Sequence, residues 1–469
     1  MSNISVQNAT AVLAIMEALE AVILVEEAIL EVMPQAIFMG EAVICAEGVT
    51  EAIMDILAEQ KNKSRGRSQR TGQFEDEYTI NARAGIVDKL FDGDIDLRPE
   101  EYYQLKRSKF FSDPAARNND EKYHWPHQPS TTPGVRFGPL INYTLDWEKI
   151  VEPPSFVWLK NILDAHKNIE ENTCIRFANS SEGDHIHYYW GYGCHSLVGR
   201  NGGKQWLSLG PGCWTVSDIL SSTLKVNAVH ETLHALGSNH EQSRQDRDTF
   251  IKINEENMIE NISDAFAIIA GSPTGNPYDF GSTMHYNNMA FSKNKKPTIE
   301  TLDKNYQHTI GYRLKLSFLD TKALNHRYCD HICDDSTWIT PDCRNNGKNP
   351  LYAECPGEPN ILLTPDTPEM EEIRWFNASK FTCYWRIQAP ADHYIGVNLT
   401  KMEGFKCEQS CYSFVEIKYG NMANSGPRFC CDLPTETLYT EVVGHEVIII
   451  THGYKPGNYS VNLSYSITK

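Results

Sequence analysis

A chain of 469 residues is too long for one compact core, so two or three domains are expected. Hydrophobic residues make up 41% and charged residues 22%, which excludes a largely disordered chain. The net charge of −18 argues against a nucleic-acid partner.

Much of that charge sits at the start: the first sixty residues hold nine Glu and Asp55 and no Lys or Arg. Residues 10–33 are rich in Ala, Val, Ile and Leu, but Glu17, Glu20, Glu26, Glu27 and Glu31 interrupt them and no basic stretch precedes them. This reads as an acidic amphipathic helix rather than a recognisable signal peptide, and no run is apolar enough for a membrane span. Residues 60–75 are polar and basic, a linker by composition. Residues 76–117 carry helical signals and the turn-like run Phe91-Asp92-Gly93-Asp94. A block of mixed helix and strand patterns follows from about Tyr123 to Cys329. Residues 330–360 are rich in Cys, Pro and Asn. From Ile373 onward short alternating stretches predict an all-β domain, among them 394–399, 414–417, 446–450 and 460–465.

Of the 13 cysteines, Cys45 stands alone and twelve lie between Cys174 and Cys431. An even number at loop-like spacing predicts up to six disulfides and an oxidising compartment. Cytosolic thiols or zinc knuckles are the alternative, and no paired C-x-x-C supports them. The sequons headed by Asn142, Asn179, Asn261, Asn377, Asn398, Asn458 and Asn462 agree with secretion.

The chemistry concentrates in His230-Glu231-Thr232-Leu233-His234-Ala235-Leu236-Gly237-Ser238-Asn239-His240-Glu241. His230 and His234 are four apart, hence one turn apart on one helix face, where both imidazoles reach one Zn²⁺. Gly237 can end the helix in a left-handed conformation, so the chain turns back and brings His240 to the same metal. Three neutral nitrogens leave a fourth position for water, and Glu231 is placed to take a proton from it. The pair His185 and His187 would face one side of a strand, but such a pair is more often strand surface than a second metal site.

The long histidine motif is a metzincin signature, which predicts a downstream Met-turn, and Ser282-Thr283-Met284-His285-Tyr286 supplies one. In this the chain resembles the astacin family. Gly193–Arg200, His240–Arg244, Pro277-Tyr278-Asp279, Ala290-Phe291-Ser292 and the end at Cys329 carry the likeness further, over about 210 residues. The resemblance implies an α+β, two-lobed catalytic domain at 118–329 that binds one Zn²⁺. In it His230, His234 and His240 would be ligands, Glu231 the general base and Met284 the apolar floor. Tyr286 would be a further ligand at rest that swings out to stabilise the oxyanion. Glu241 would hold the new N-terminus through water, and disulfides would link Cys174 to Cys329 and Cys194 to Cys213. Residues 220–225 lengthen the stretch before the motif beyond the usual family pattern.

Residues 91–95 match the F-x-G-D segment of astacin propeptides, which implies that residues 76–117 form an inhibitory propeptide with Asp94 on the zinc. A cut at Arg117 would start the mature chain at Asn118, with Lys106-Arg107 as the competing site. The C-terminal stretch, 361–469, resembles a CUB domain through Cys383–Ile387, Cys407, Cys411 and Gly426–Cys431. That likeness implies a β-sandwich with protein or glycan contacts. Cys355 is expected to pair with Cys383, while the pairing of Cys407 and Cys411 with Cys430 and Cys431 stays open. Residues 330–360 hold at most an EGF-like remnant, and residues 1–75 an acidic segment and linker.

Two functions follow. One is a secreted, latent zinc endopeptidase acting on extracellular or matrix proteins. The other is a catalytically dead recognition protein, which would be expected to lack Glu231 or a histidine. All are present.

Overall fold

The structure, a computed structural model, describes residues 77–99, 101, 121–128, 137–146, 155–213, 226–260, 263–269, 275–313, 315–330, 360–362, 370–378, 381–442, 446–454 and 457–468. The acidic N-terminal stretch, the linker at 60–75, the cut expected at Arg117, residues 220–225 and the cysteines Cys45, Cys333, Cys343 and Cys355 lie outside them.

The described residues open with helix α1 (Glu77–Ala84) and the short strand β1 (Ile95–Asp96). Then come β2 (Leu140–Leu145), α2 (Ser155–Asn172), β3 (Arg176–Asn179), β4 (His185–Tyr189), β5 (Cys194–Leu197) and β6 (Lys204–Leu209). These strands make one sheet in the order β1-β5-β6-β4-β2-β3. It is parallel except where β5 runs against β6. Helix α2 follows from its period: Trp158, Leu159, Ile162, Ala165 and Ile169 recur three and four apart, and all are buried against the sheet's core.

Helix α3 (Val226–Ala235) packs on the same core through Ala228, Val229, Leu233 and the following Leu236. Its end is a Schellman turn. Gly237 N–H donates to the His234 carbonyl at 2.7 Å and Ser238 N–H to the Leu233 carbonyl at 2.9 Å, with Gly237 at φ +94°. A side chain at Gly237 would also meet the Arg327 guanidinium at 2.5 Å, so only glycine fits. Past β7 (Ile251–Ile253) and β8 (Ile299–Thr301), α4 (Phe318–Tyr328) opens with a reciprocal Ser317–Asp320 capping box. It ends at Cys329, which is bonded to Cys174 at the far end of α2, 155 residues away. A second bridge joins Cys194 to Cys213 across β5 and β6.

The remaining strands are β9 (Asn360–Leu362), β10 (Met370–Ala378), β11 (Phe381–Gln388), β12 (Tyr394–Glu403) and β13 (Phe414–Lys418). After them come β14 (Arg428–Phe429), β15 (Leu438–Tyr439), β16 (Val447–Gly453) and β17 (Gly457–Thr468). They form two sheets, β10-β17-β12-β15 and β14-β13-β16-β11-β9. Alternate residues of both sheets, such as Trp385, Ile417 and Ile449 from one and Val397, Val461 and Leu463 from the other, share a single core, so this part is a two-layer sandwich. The pairing that the sequence left open is nested: Cys407 with Cys431 and Cys411 with Cys430. Cys383 is also disulfide-bonded, to a partner outside the described residues.

Candidate active site

Helix α3 presents His230 and His234 on one face, and the turn at Gly237 returns His240 to them. The Nε2 atoms of His234 and His240 each lie 3.2 Å from that of His230. All three side chains are fully buried. The other ring nitrogens are engaged as well. His230 Nδ1 meets the Thr283 carbonyl at 3.0 Å, His234 Nδ1 the Ser238 carbonyl at 2.8 Å, and His240 Nδ1 the Asp92 carboxylate at 2.8 Å. The Ser238 carbonyl and the Asp92 carboxylate accept from Nδ1 of His234 and His240, the Thr283 carbonyl and the Arg313 guanidinium share His230 Nδ1, and all three Nε2 atoms face the common centre. Burial would lower His240, but the Asp94 and Asp92 carboxylates push it up to about 10. Burial, reinforced by the nearby Arg313 cation, holds His230 well below the usual imidazole range and therefore neutral.

The fourth corner comes from far upstream. Phe91 and Ile95 exchange both backbone hydrogen bonds at 2.9 Å and close a tight hairpin through Asp92, Gly93 and Asp94. Asp92 and Gly93 both take positive φ, 46° and 79°. A side chain on Gly93 would stand 2.8 Å from both the Tyr286 hydroxyl and a ring carbon of Phe291, which is why glycine is required. Asp94 then reaches the histidines, with Oδ2 3.1 Å from His230 Nε2 and Oδ1 3.4 Å and 3.2 Å from those of His234 and His240. Burial would raise the Asp94 carboxyl, but His240 and then His230 and His234 hold it well below the usual carboxylate range.

Asp94, His230, His234 and His240 form a group able to hold a metal ion. A tetrahedral zinc with bonds of about 2.0–2.1 Å requires ligand atoms about 3.3–3.4 Å apart, close to the spacing here. Asp94 Oδ1 is buried without a hydrogen-bond partner, as an oxygen facing a cation would be. The donor set of imidazoles and a carboxylate suits zinc.

Glu231 lies beside this cluster, fully buried, with neither carboxylate oxygen hydrogen-bonded. Burial, then the charges of Asp94 and Glu77, push its carboxyl well above the ordinary value. Tyr286 donates its hydroxyl to the Asp92 carbonyl, so the hairpin holds the phenol. Met284 is buried, and its carbonyl accepts the Glu241 N–H at 3.1 Å. The Glu241 carboxylate meets Arg244 at 3.1 Å and the Asp279 N–H at 2.8 Å, and lines a cavity with Asp279, Asp320 and Arg327. Away from this centre, His185 and His187 are engaged by the Gly183 carbonyl and the Thr144 hydroxyl.

Several residues of the site were given no role by the sequence. Asp92 binds His240 and also accepts from Ser243 Oγ at 2.7 Å, although only Asp94 of the run stood out. Asn81 on α1 acts as a strand partner for β5, donating to the Cys194 carbonyl at 2.7 Å and accepting its N–H at 2.8 Å. Glu77 places Oε2 2.6 Å from Arg313 Nη1, and Arg313 Nη1 lies 2.9 Å from His230 Nδ1. Glu77 and Arg313 are too far apart along the chain for any local pattern to link them. For Asp92, the second acidic residue flanking Gly93 was the available clue.

The family profile described as Astacin, a peptidase family, matches residues 145–329. The zinc metalloproteinase nas-37 of Caenorhabditis elegans is 33% identical over 401 residues, covering 80% of this chain and 48% of its own length. The zinc metalloproteinase nas-36 of Caenorhabditis briggsae is 30% identical over 454 residues, 85% of this chain and 68% of its own. This chain thus spans about half the length of the first relative and about two thirds of the second. Among solved structures, high choriolytic enzyme 1, a hatching-enzyme zinc protease of the medaka fish Oryzias latipes, is 29% identical. It covers 44% of this chain and 94% of its own, with a TM-score of 0.36. The agreement with nas-36 runs through most of both chains, and on that ground this chain belongs to the astacin family of zinc metalloendopeptidases.

Proposed function

We propose that this protein is a latent, secreted endopeptidase that hydrolyses peptide bonds of extracellular proteins once the segment ahead of residue 118 is removed. The observation that carries the reading is the convergence of three imidazole Nε2 atoms beside a buried Glu231 whose oxygens make no hydrogen bond. One zinc ion held by His230, His234 and His240 would supply Lewis acidity, making water nucleophilic at neutral pH and polarising the peptide carbonyl. Glu231 takes the proton from the attacking water and hands it to the leaving amine. Its orphaned oxygens favour this role, since no other group competes for them. Tyr286, freed from the Asp92 carbonyl, turns its phenol toward the oxyanion developing on the attacked carbonyl. Met284 keeps the floor apolar.

Latency rests on the hairpin. Asp94 occupies the fourth corner, Asp92 ties down His240 and Tyr286, and β1 covers the edge strand β5. After cleavage at Arg117, the new ammonium group of Asn118 reaches the cavity beside Glu241. Burial has pushed that carboxyl up to about 8, and a buried cation would offset its charge. Disulfides and sequons support secretion. We read the sandwich as a CUB-like module for protein or glycan contacts.

The deciding experiment compares the wild-type and Asp94→Ala precursors, each with its propeptide still attached, on a quenched peptide library. Chelator-sensitive hydrolysis by the variant alone is the expected result. Equal activity of the two precursors would remove Asp94 from latency, and silence of the mature zinc-loaded protein would remove the enzyme reading altogether.

A further inference from the structure

We infer that the C-terminal sandwich is a working part of the active centre, because it sets the position of Arg313. The segment from His308 to Arg313 leads directly into the site, where Arg313 stands against His230 and Glu77. That segment is pinned by the sandwich. Cys411 N–H donates to the His308 carbonyl at 2.9 Å, Arg428 N–H to the Thr309 hydroxyl at 2.8 Å, and Ser410 Oγ to the Ile310 carbonyl at 2.7 Å. The Arg428 guanidinium lies over the Tyr312 ring at 4.1 Å, and Glu416 holds it there by accepting from Nε at 2.9 Å. Four successive anchors therefore precede Arg313, the last of them on the adjacent residue.

Two glycines show how little slack remains. At Gly311, φ +76°, a side chain would come within 2.4 Å of Asn287 and 2.7 Å of Ser410 Oγ. At Gly281, just ahead of the Met-turn, a side chain would come within 2.2 Å of Ser425 Oγ. The sandwich thus presses on the backbone on both sides of the centre. The nested bridges Cys407–Cys431 and Cys411–Cys430 stiffen the loop that does the pressing. Simple adhesion between two domains would need apolar area only. Hydrogen bonds to three consecutive residues of one loop fix its register and height. Ser410 and Arg428 are therefore positioning residues that act through Arg313, and mature activity depends on the sandwich without the sandwich touching substrate.

The kinetic arm of the test rests on the proposed hydrolysis; the exchange arm does not. Ser410→Ala and Arg428→Lys are made in the full chain. Both keep Glu416 facing a cation, and Ser410→Ala serves if the lysine variant folds poorly. Amide exchange across 308–313 is expected to rise about tenfold while that of α3 is unchanged. After activation, zinc content should be unaltered, kcat should fall about tenfold and KM should stay within about twofold, because Arg313 stands against His230 and not against substrate. In an Arg313→Ala background the same substitutions should add no more than about twofold. Unchanged exchange in 308–313, or losses that multiply in full in that background, would overturn the inference. If the wild type hydrolyses nothing, the proposed function fails and the exchange result alone decides this one.

Discussion

Glu416 and Glu77 are both buried glutamates that face an arginine, and their surroundings differ. Glu416 in the sandwich accepts from Arg428 Nε at 2.9 Å and from the Gly426 N–H at 2.9 Å, with Lys418 at 3.8 Å. Burial pushes its carboxyl up, but Arg428 and Lys418 outweigh that and leave it below the usual value. Glu77, on the segment proposed to be removed, lies 2.6 Å from Arg313, yet neither oxygen makes an aligned hydrogen bond. Burial dominates there, and the charge of Asp94 adds to it, so its carboxyl is raised despite Arg313. In the permanent ion pair both carboxylate oxygens are hydrogen-bonded. In the Glu77–Arg313 pair they are not, which lowers the cost of parting it.

The predictions probe that contrast. Largest is Glu231→Ala, a third buried carboxylate with no cation of its own. We predict a loss of about 10⁴-fold in peptide hydrolysis with zinc content and melting temperature retained. Turnover at the wild-type rate would refute its role, and a collapsed fold would show that it is structural like Glu416. Next, Arg428→Ala strands Glu416, which loses a hydrogen-bonded partner, and should cost about 3–5 kcal/mol in denaturant unfolding, whereas Glu77→Ala, which removes a carboxylate without hydrogen bonds, should cost less. Equal costs would erase the distinction between the two pairs. Third, Asp92→Asn keeps a residue that tolerates positive φ but removes the charge on His240. The precursor should then lose zinc to a competing chelator at about 10- to 100-fold lower chelator concentration.

The smallest effect is in pH. Because the folded Glu416 carboxyl is depressed, its contribution is present above the unfolded value, about pH 4.3, and fades as pH falls through the lower folded value. Unfolding midpoints of wild type and Glu416→Gln should differ at pH 7 and converge in acid. A gap that widens in acid would reverse the sign and refute the assignment.

What the sequence determined by itself was local in its physics. The 3.6-residue period sets His230 and His234 on one face of α3, and Gly237 ends that helix because only glycine suits its left-handed turn. The Asp-Gly-Asp run turns tightly for the same reason. Period-2 alternation marks β11 and β16 as strands with one buried face. Sequence could count the cysteines near 407 and 430 but not choose among their pairings, since adjacent Cys430 and Cys431 are equivalent by spacing. Tertiary structure alone decided that choice, the meeting of Asp92 with His240, of Glu77 with Arg313, and the grip of Ser410 and Arg428 on the loop leading to Arg313. Each joins residues far apart in the chain, where no periodicity connects them and only the packing of whole layers brings them within a hydrogen bond.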